Sequence, residues 1–184
     1  MHRSTGNDMK RQTGFTLTEL ITTMAIVGIL IGIGVPSYRY VTTANRMSSE
    51  INGLLGDLQF ARSEAIREGT NVVVCATSDG TSCSGTAIWG SGWLVYSDLN
   101  GNNAVDAPDE VLRTQAALSN NDTLAAVAAT QFAFNREGFA IGVAADELLT
   151  LHDPTNNPTY ARCLKLTVMG MATVTSHSTD ASCT

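Results

Sequence analysis

Residues 14–35 read GFTLTELITTMAIVGILIGIGV, and this stretch decides the fold. From Phe15 to Val35 there are 21 residues, about the number that crosses the ~30 Å hydrocarbon core of a bilayer as an α-helix. From Ile21 to Val35 the stretch contains no charged residue. The sequence therefore predicts one transmembrane helix close to the N-terminus.

Basic residues precede this stretch, namely Arg3, Lys10 and Arg11. Positive flanks stay on the cytoplasmic side of a membrane, so we expect an inner-membrane, single-pass protein whose C-terminal body lies in the periplasm. A secretory signal peptide has a small-residue cleavage site after its apolar region. The sequence after Val35 is PSYR and shows no such site. Hydropathy alone leaves a simple signal anchor open.

Glu19 and Gly14 indicate more than a passive anchor. Glu19 is the fifth residue from Phe15, and a carboxylate inside a membrane helix is costly enough to indicate a functional partner. Gly14 lies directly before Phe15, at the boundary between the polar leader and the apolar stretch. A buried carboxylate requires a cation as its partner.

The string from Gly14 to Leu20 resembles the class III signal of type IV pilins and pseudopilins, with the glycine, the phenylalanine, the acid and the basic leader all in register. The resemblance implies that a prepilin peptidase removes residues 1–14 by cutting between Gly14 and Phe15. It implies N-methylation of Phe15 by the same enzyme. It also implies that Glu19 pairs with the N-terminal amine of a neighbouring subunit during assembly.

Pro36 matches the place where the long N-terminal helix of that family bends. A proline removes one helix hydrogen bond, so we predict a kink there, with a helix terminus as the alternative. The kink is favoured because residues 38–68 are again compatible with a helix. The predicted organisation is a transmembrane and assembly helix over 15–43 and a globular periplasmic domain over 44–184.

Residues 44–68 have one apolar face. Apolar residues recur there at steps of three and four, which predicts an amphipathic helix, and they are Met47, Ile51, Leu54, Leu55, Leu58, Ala61, Ala65 and Ile66. Gly69 follows as a helix stop. We expect this face to pack on a sheet.

After Gly69 the pattern changes to short apolar or alternating runs. The candidate strands are 71–76, 92–97, 110–116, 130–134, 139–142, 148–152, 162–168 and 171–176. The segment NREG at 135–138 predicts a turn, and residues 153–159 predict an exposed loop. The fold class is α+β: a long N-terminal hydrophobic and amphipathic helix packed on antiparallel sheets, as in type IV pilins.

Several segments of the body resemble the GspH/FimT group of minor pilins and minor pseudopilins. They read LQFARSEAIREG at 58–69, WGSGWLVY at 89–96, DLNGN at 98–102 and EVLR at 110–113. The resemblance implies two small sheets packed on the helix. It implies a minor pilin that takes part in type IV pilus assembly, in a tip or priming complex with major and minor pilins. A minor pseudopilin of type II secretion is the alternative.

The four cysteines predict disulfides. Their number is even, as expected in an exported domain, and their spacing lacks the tight pairs of zinc sites. We expect Cys75–Cys83 and Cys163–Cys183, although the sequence permits three pairings. The second bond would hold the chain end in place.

One acidic and amide-rich loop carries the oxygen ligands that calcium prefers, from Asp98, Asn100, Asn102 and Asp106. The favoured alternative is a solvated turn in which Asp98 and Asn100 bond the local backbone. No metal or other cofactor is predicted. No nucleophile with a His/Asp framework is identifiable, so we expect no enzymatic activity.

DNA binding is disfavoured by charge and by one motif. Of the 11 basic and 17 acidic residues, residues 1–14 hold three and one, which leaves 8 and 16 and a net charge of -8. Some FimT-type pilins bind DNA through arginines that follow a C-terminal glycine. The matching segment here, GMAT at 170–173, has none, and phosphate contacts need such cations.

Overall fold

The computed structural model describes residues 14–143, 145–180 and 182–183. Apart from Gly14, the predicted leader lies outside the described residues. The chain divides into two compact units, Met1–Val41 and Thr42–Thr184. One α-helix, α1 (Leu17–Glu68), supplies residues to both.

In the first unit, every described residue is exposed. By length and composition α1 has a segment apolar enough to cross a membrane. The helix continues through Pro36, so this proline is not a helix terminus, and the bend stays a prediction. The hydroxyls of Thr22 and Thr23 donate to the carbonyl oxygens of Thr18, at 3.0 Å, and Leu20, at 2.9 Å. These polar side chains are therefore satisfied within the helix.

The second unit consists of the end of α1 and nine strands. The strands are β1 (Asn71–Ala76), β2 (Gly92–Asp98), β3 (Glu110–Ala116), β4 (Thr123–Ala126), β5 (Gln131–Phe134), β6 (Ala140–Ile141), β7 (Glu147–His152), β8 (Arg162–Leu166) and β9 (Ala172–Ser176). All eight candidate strands are present, with ends that differ by up to two residues. The sequence analysis missed β4, because its two alanines have low strand propensity. Short 3-10 turns lie at Ser119–Asn121 and Pro158–Tyr160.

The strands form two antiparallel sheets. One has the order β3-β2-β1-β5-β6 and the other β4-β7-β8-β9. In β1, Val72 and Val74 face the main core, whereas Val73 and Cys75 face a second buried cluster on the opposite side. A central strand covered on both faces reads as a continuous apolar run, which explains why VVVC does not alternate with polar residues.

The main core lies between α1 and the two sheets. The helix buries one face, consisting of Met47, Ile51, Leu54, Leu58, Ala61 and Ala65. Leu55 is only partly buried. Ile66 differs from the prediction because 52% of it is exposed. Both tryptophans, Trp89 and Trp93, are buried.

Polar contacts fix the helix against the first sheet. Asp57 accepts hydrogen bonds from Trp93 Nε1 at 2.8 Å and from Arg113 Nη1 at 3.0 Å. The Arg113 guanidinium also lies 3.6 Å from the centre of the Phe60 ring, in cation–π geometry. A single helical carboxylate thus links α1 to β2 and β3.

The two sheets meet where the β5–β6 turn approaches the β8–β9 turn. Ala140 N donates to Val168 O at 3.0 Å, and Arg62 Nε donates to Gly138 O at 2.9 Å. Gly170 has a φ of +73°, and a Cβ there would lie 2.3 Å from Gly138 O. Only glycine fits such a close backbone approach.

Candidate functional site

The start of α1 forms a capping box. Thr16 N donates to Glu19 Oε2 at 3.4 Å, and Glu19 N donates to Thr16 Oγ1 at 3.3 Å. This reciprocal pair satisfies two backbone N–H groups that have no partner within the helix. The pattern Thr-x-x-Glu that signals it is visible at residues 16–19. The sequence analysis considered only a partner for Glu19 in another subunit and missed this local role.

The Gly14–Phe15 bond lies outside the helix, which begins at Leu17. Phe15 is 89% exposed, and no heavy atom lies within 4 Å of a Cβ built on Gly14. A peptidase must bind extended, accessible backbone, and this segment offers it. Glu19 thus lies only four residues after Phe15, the first residue beyond the predicted processing bond.

Glu19 takes part in no ion pair among the described residues. Its Oε2 accepts both Thr16 N and Thr16 Oγ1, the latter at 3.3 Å. Oε1 makes neither of these bonds. The carboxylate can therefore cap its own helix with one oxygen and accept a further donor with the other.

The structure brings the four calcium candidates together in the β2–β3 loop, where they bond the loop itself. Asp98 Oδ1 accepts from Gly101 N at 2.8 Å. Asp106 accepts from the amide nitrogens of Asn100 and Asn102 at 2.7 and 2.8 Å. Within residues 14–143, 145–180 and 182–183, no group of three or more His, Cys, Asp or Glu residues could hold a metal. The loop is therefore a turn whose acidic and amide side chains hydrogen-bond its own backbone and one another.

The structure contains both predicted disulfides. Cys75 of β1 is bonded to Cys83, and Cys163 of β8 is bonded to Cys183. Within the first loop, Asp79 Oδ1 accepts from the backbone N–H groups of Thr81 and Ser82 at 2.8 and 2.9 Å. These bonds hold the pKa of Asp79 well below its usual range, because they stabilise the ionised carboxylate.

The cations around the β8–β9 turn are occupied by internal contacts. Arg62 donates to Gly138 O. Lys165 Nζ lies 2.7 Å from Asp146 Oδ2, and this ion pair raises the pKa of the lysine. Arg162 Nη1 donates to Ala161 O at 2.9 Å. Residues 170–173 thus have Arg62 and Lys165 nearby, and both have partners within the body, whereas Arg162 lies at the opposite end of β8, where it pairs with Ser176 of β9.

Two family models match this chain. The model described as Type II transport protein GspH matches residues 50–170. The chain belongs to the GspH family. A second model, described as Prokaryotic N-terminal methylation motif, matches residues 9–35 of this GspH-family chain. That range includes Gly14, Phe15 and Glu19.

Two relatives of this GspH-family chain come from Pseudomonas aeruginosa. A fimbrial protein of Pseudomonas aeruginosa is 38% identical over 73 residues, which cover 40% of this chain and 47% of that protein. The Type II secretion system protein H of the same species is 36% identical over 58 residues, which cover 32% of this chain and 34% of that protein. The chain thus spans about half the length of the fimbrial protein.

Solved structures share the fold. The type IV minor pilin FimU of Pseudomonas aeruginosa matches with a TM-score of 0.57 and 20% identity, covering 73% of this chain and 91% of that one. The minor pseudopilin EpsH of Vibrio cholerae matches with a TM-score of 0.51 and 12% identity, covering 71% and 97%. The GspH-family chain therefore has the fold of minor pilins and pseudopilins, a long helix packed on antiparallel sheets.

Proposed function

We propose that this chain is a minor pilin that inserts in the inner membrane and takes part in type IV pilus assembly with other pilins, in a tip or priming complex. Prepilin peptidase would cut between Gly14 and Phe15 and methylate the new amine. The body would lie in the periplasm and then at the cell surface. The observation that carries the proposal is the accessible Gly14–Phe15 bond, which directly precedes an apolar helix with a carboxylate, Glu19, in its first turn.

The exposed half of α1 supports the assembly role. Its apolar side chains, such as Leu30 and Ile33, have no cover in the isolated chain. Removing apolar surface from water is favourable by about 25 cal/mol per Å². We therefore expect this surface to contact lipid before assembly and other helices after it. Within a filament, helix–helix packing would take the place of lipid contacts.

Glu19 supports a specific register in that packing. Once the leader is removed, Phe15 carries a free amine, and Glu19 Oε1 is placed to accept a donor from a neighbouring subunit. An ion pair in a membrane-like interior is stable only when both charges are present, since a single buried charge is costly. We propose that Glu19 caps its own helix and binds the Phe15 amine of the next subunit.

A minor pseudopilin of type II secretion is the second candidate. It is favoured by the similarity to the Type II secretion system protein H and by the fold shared with EpsH. Both candidates use the same processing bond and the same apolar helix. In either case we propose a non-enzymatic assembly subunit that does not bind DNA, because Arg62 and Lys165, the cations near residues 170–173, already bond the body.

The first test separates the charge of Glu19 from its capping role. Glutamine also serves at the third helical position of a capping box, so Glu19→Gln keeps the cap and removes the charge. We expect Glu19→Gln to be cut after Gly14, as measured by intact mass, but to fail to enter filaments, as measured by crosslinking. Glu68→Gln, which removes an exposed carboxylate at the end of the same helix, should assemble normally. Normal incorporation of Glu19→Gln would contradict the charge-pairing role.

The second test distinguishes a subunit of a type IV pilus from a subunit of a type II secretion system. After crosslinking in native membranes, mass spectrometry of the purified adducts should recover a major type IV pilin and its minor partners. Recovery of secretion pseudopilins would instead assign the chain to type II secretion. Recovery of neither class would contradict the assembly function itself.

A further inference from the structure

One carboxyl oxygen in the body is buried without a hydrogen-bond partner. Glu50, on α1, accepts at Oε1 from Ser119 Oγ at 2.6 Å and from Ser119 N at 3.2 Å. Its other oxygen, Oε2, is buried and unpaired among the described residues. Leaving a buried polar atom unsatisfied costs about 1–3 kcal/mol, and more for a charged group. An ionised Glu50 would therefore be unfavourable in this position.

The neighbouring Asp122 is fixed as a carboxylate. Its side chain is fully buried, and its two oxygens accept from Arg46 Nε at 2.6 Å and Arg46 Nη2 at 3.0 Å. This two-bond arrangement is the strong form of an arginine–carboxylate pair. Arg46 Nε and Nη2 are thus both bonded to Asp122, and neither bonds Glu50 Oε2.

We propose that Glu50 is protonated in the folded protein and that its Oε2–H donates to Asp122. We call the four residues Arg46, Glu50, Ser119 and Asp122 the Glu50 latch. Two ionised carboxylates only accept hydrogen bonds and cannot bond one another, whereas a protonated carboxyl group has a donor. Protonation therefore satisfies the buried oxygen and removes a like charge beside Asp122.

The electrostatics agree with this geometry. Burial raises the pKa of Glu50, the bonds from Ser119 oppose that effect, and the hydrogen bond and charge of Asp122 raise the pKa further. The hydrogen bond to Asp122 raises the pKa of Arg46, which stays charged. Asp153, directly after β7, also raises the pKa of Arg46, and His152, at the end of β7, pairs with Thr123 of β4 and has a buried Nδ1 without a hydrogen-bond partner among the described residues. These are the other titratable groups around the latch.

The latch holds the connection between the two sheets. Ser119 and Asp122 lie between β3 of the five-stranded sheet and β4 of the four-stranded sheet, and the latch attaches this connection to α1. A carboxyl group whose pKa is raised on folding stabilises the folded state fully below its unfolded pKa, here 4.5. That stabilisation is lost as the pH rises through the folded pKa. Glu50 therefore contributes more to the stability of the body in an acidic medium than in a neutral one.

The test compares thermal unfolding midpoints of the full-length wild type and Glu50→Gln in detergent micelles between about pH 4 and pH 8. The amide of glutamine donates to Asp122 at every pH. We expect the midpoint of Glu50→Gln, relative to wild type, to rise as the pH increases. The effects of pH on all other groups are common to both proteins and cancel in the difference. A difference that stays constant across this range would overturn the proposal.

A direct measurement covers the case in which the variant does not fold. In wild-type chain labelled with ¹³C at the glutamate carboxyl carbons, Glu50 should titrate with a midpoint above its ordinary value. The resonance is assigned in the folded wild type itself, from a uniformly ¹³C,¹⁵N-labelled sample in which bond correlations connect the Glu50 carboxyl carbon to its own backbone. A wild-type midpoint at or below the ordinary value would overturn the latch.

Discussion

The two halves of α1 differ in what surrounds them. Before Thr42 every described residue of the helix is exposed, whereas the half from Thr42 to Glu68 buries six side chains against the sheets. Between Met24 and Val35 the first half has no polar side chain, whereas the second half is apolar on one face only. One continuous helix thus has two environments: its second half completes the core of this chain, and we propose that its first half is covered by lipid or by other subunits.

The largest expected effect comes from shortening one leucine in each half. Leu54→Ala removes a fully buried side chain and should lower the free energy of unfolding of the body by about 2–5 kcal/mol. Leu30→Ala, in the exposed half, should leave it unchanged. Urea titration in micelles, followed by the fluorescence of the buried Trp89 and Trp93, measures both. Similar losses of unfolding free energy for the two variants would contradict the conclusion that only the second half of α1 packs in the core of the body.

Removing the second disulfide should also affect the body alone. Its cysteines are 20 residues apart, and closing a loop of that length is worth about 3 kcal/mol in the chain-entropy account. Replacing Cys163 and Cys183 together by serine should lower the urea midpoint accordingly. The matched replacement of Cys75 and Cys83, which are 8 residues apart, should cost less. Membrane insertion, measured by carbonate extraction, should not change in either variant.

Glycines in the body and in the exposed half of α1 should also differ in how well they tolerate replacement by alanine. Gly170→Ala places a methyl group 2.3 Å from Gly138 O at a φ of +73°, so we expect a loss of at least about 1–3 kcal/mol in the body. A Cβ at Gly32, in the exposed half, meets no atom within 4 Å. Gly32→Ala should therefore leave the unfolding of the body unchanged. Equal stability of Gly170→Ala and wild type would mean that the β8–β9 turn can move away from the β5–β6 turn at little cost in free energy.

Local patterns in the sequence predicted much of the fold. The apolar span, the amphipathic face and the eight candidate strands all follow from hydrophobic periodicity, which reflects which side of an element is buried. The strand β4 was missed because TLAA carries little strand propensity. Ile66 fits the helical period but lies at the border of the buried face, where the period alone does not decide exposure.

Contacts between distant residues could not be predicted in this way. Arg46 and Asp122 are 76 residues apart, as are Arg62 and Gly138. No local pattern specifies such pairs, because they depend on how the two sheets meet the helix. The capping box at residues 16–19 is the opposite case, since its signal is local. It was missed because the carboxylate was interpreted only in terms of the membrane.

The smallest expected effect is a pH-dependent change in stability that involves a carboxylate of the body and none of the exposed half of α1. In the exposed half Glu19 caps a helix, whereas in the body Asp79 holds the Cys75–Cys83 loop by accepting from Thr81 N and Ser82 N. These bonds lower the pKa of Asp79 below its ordinary value of 3.8. The stabilisation is therefore present above that value and is lost as the pH falls through the folded pKa. Asp79→Asn removes the titrating group, so its stability deficit relative to wild type should shrink as the pH is lowered from about 5 to about 2. Urea midpoints of the two proteins at each pH measure this, and a deficit that stays constant would show that the loop does not depend on the charge of Asp79.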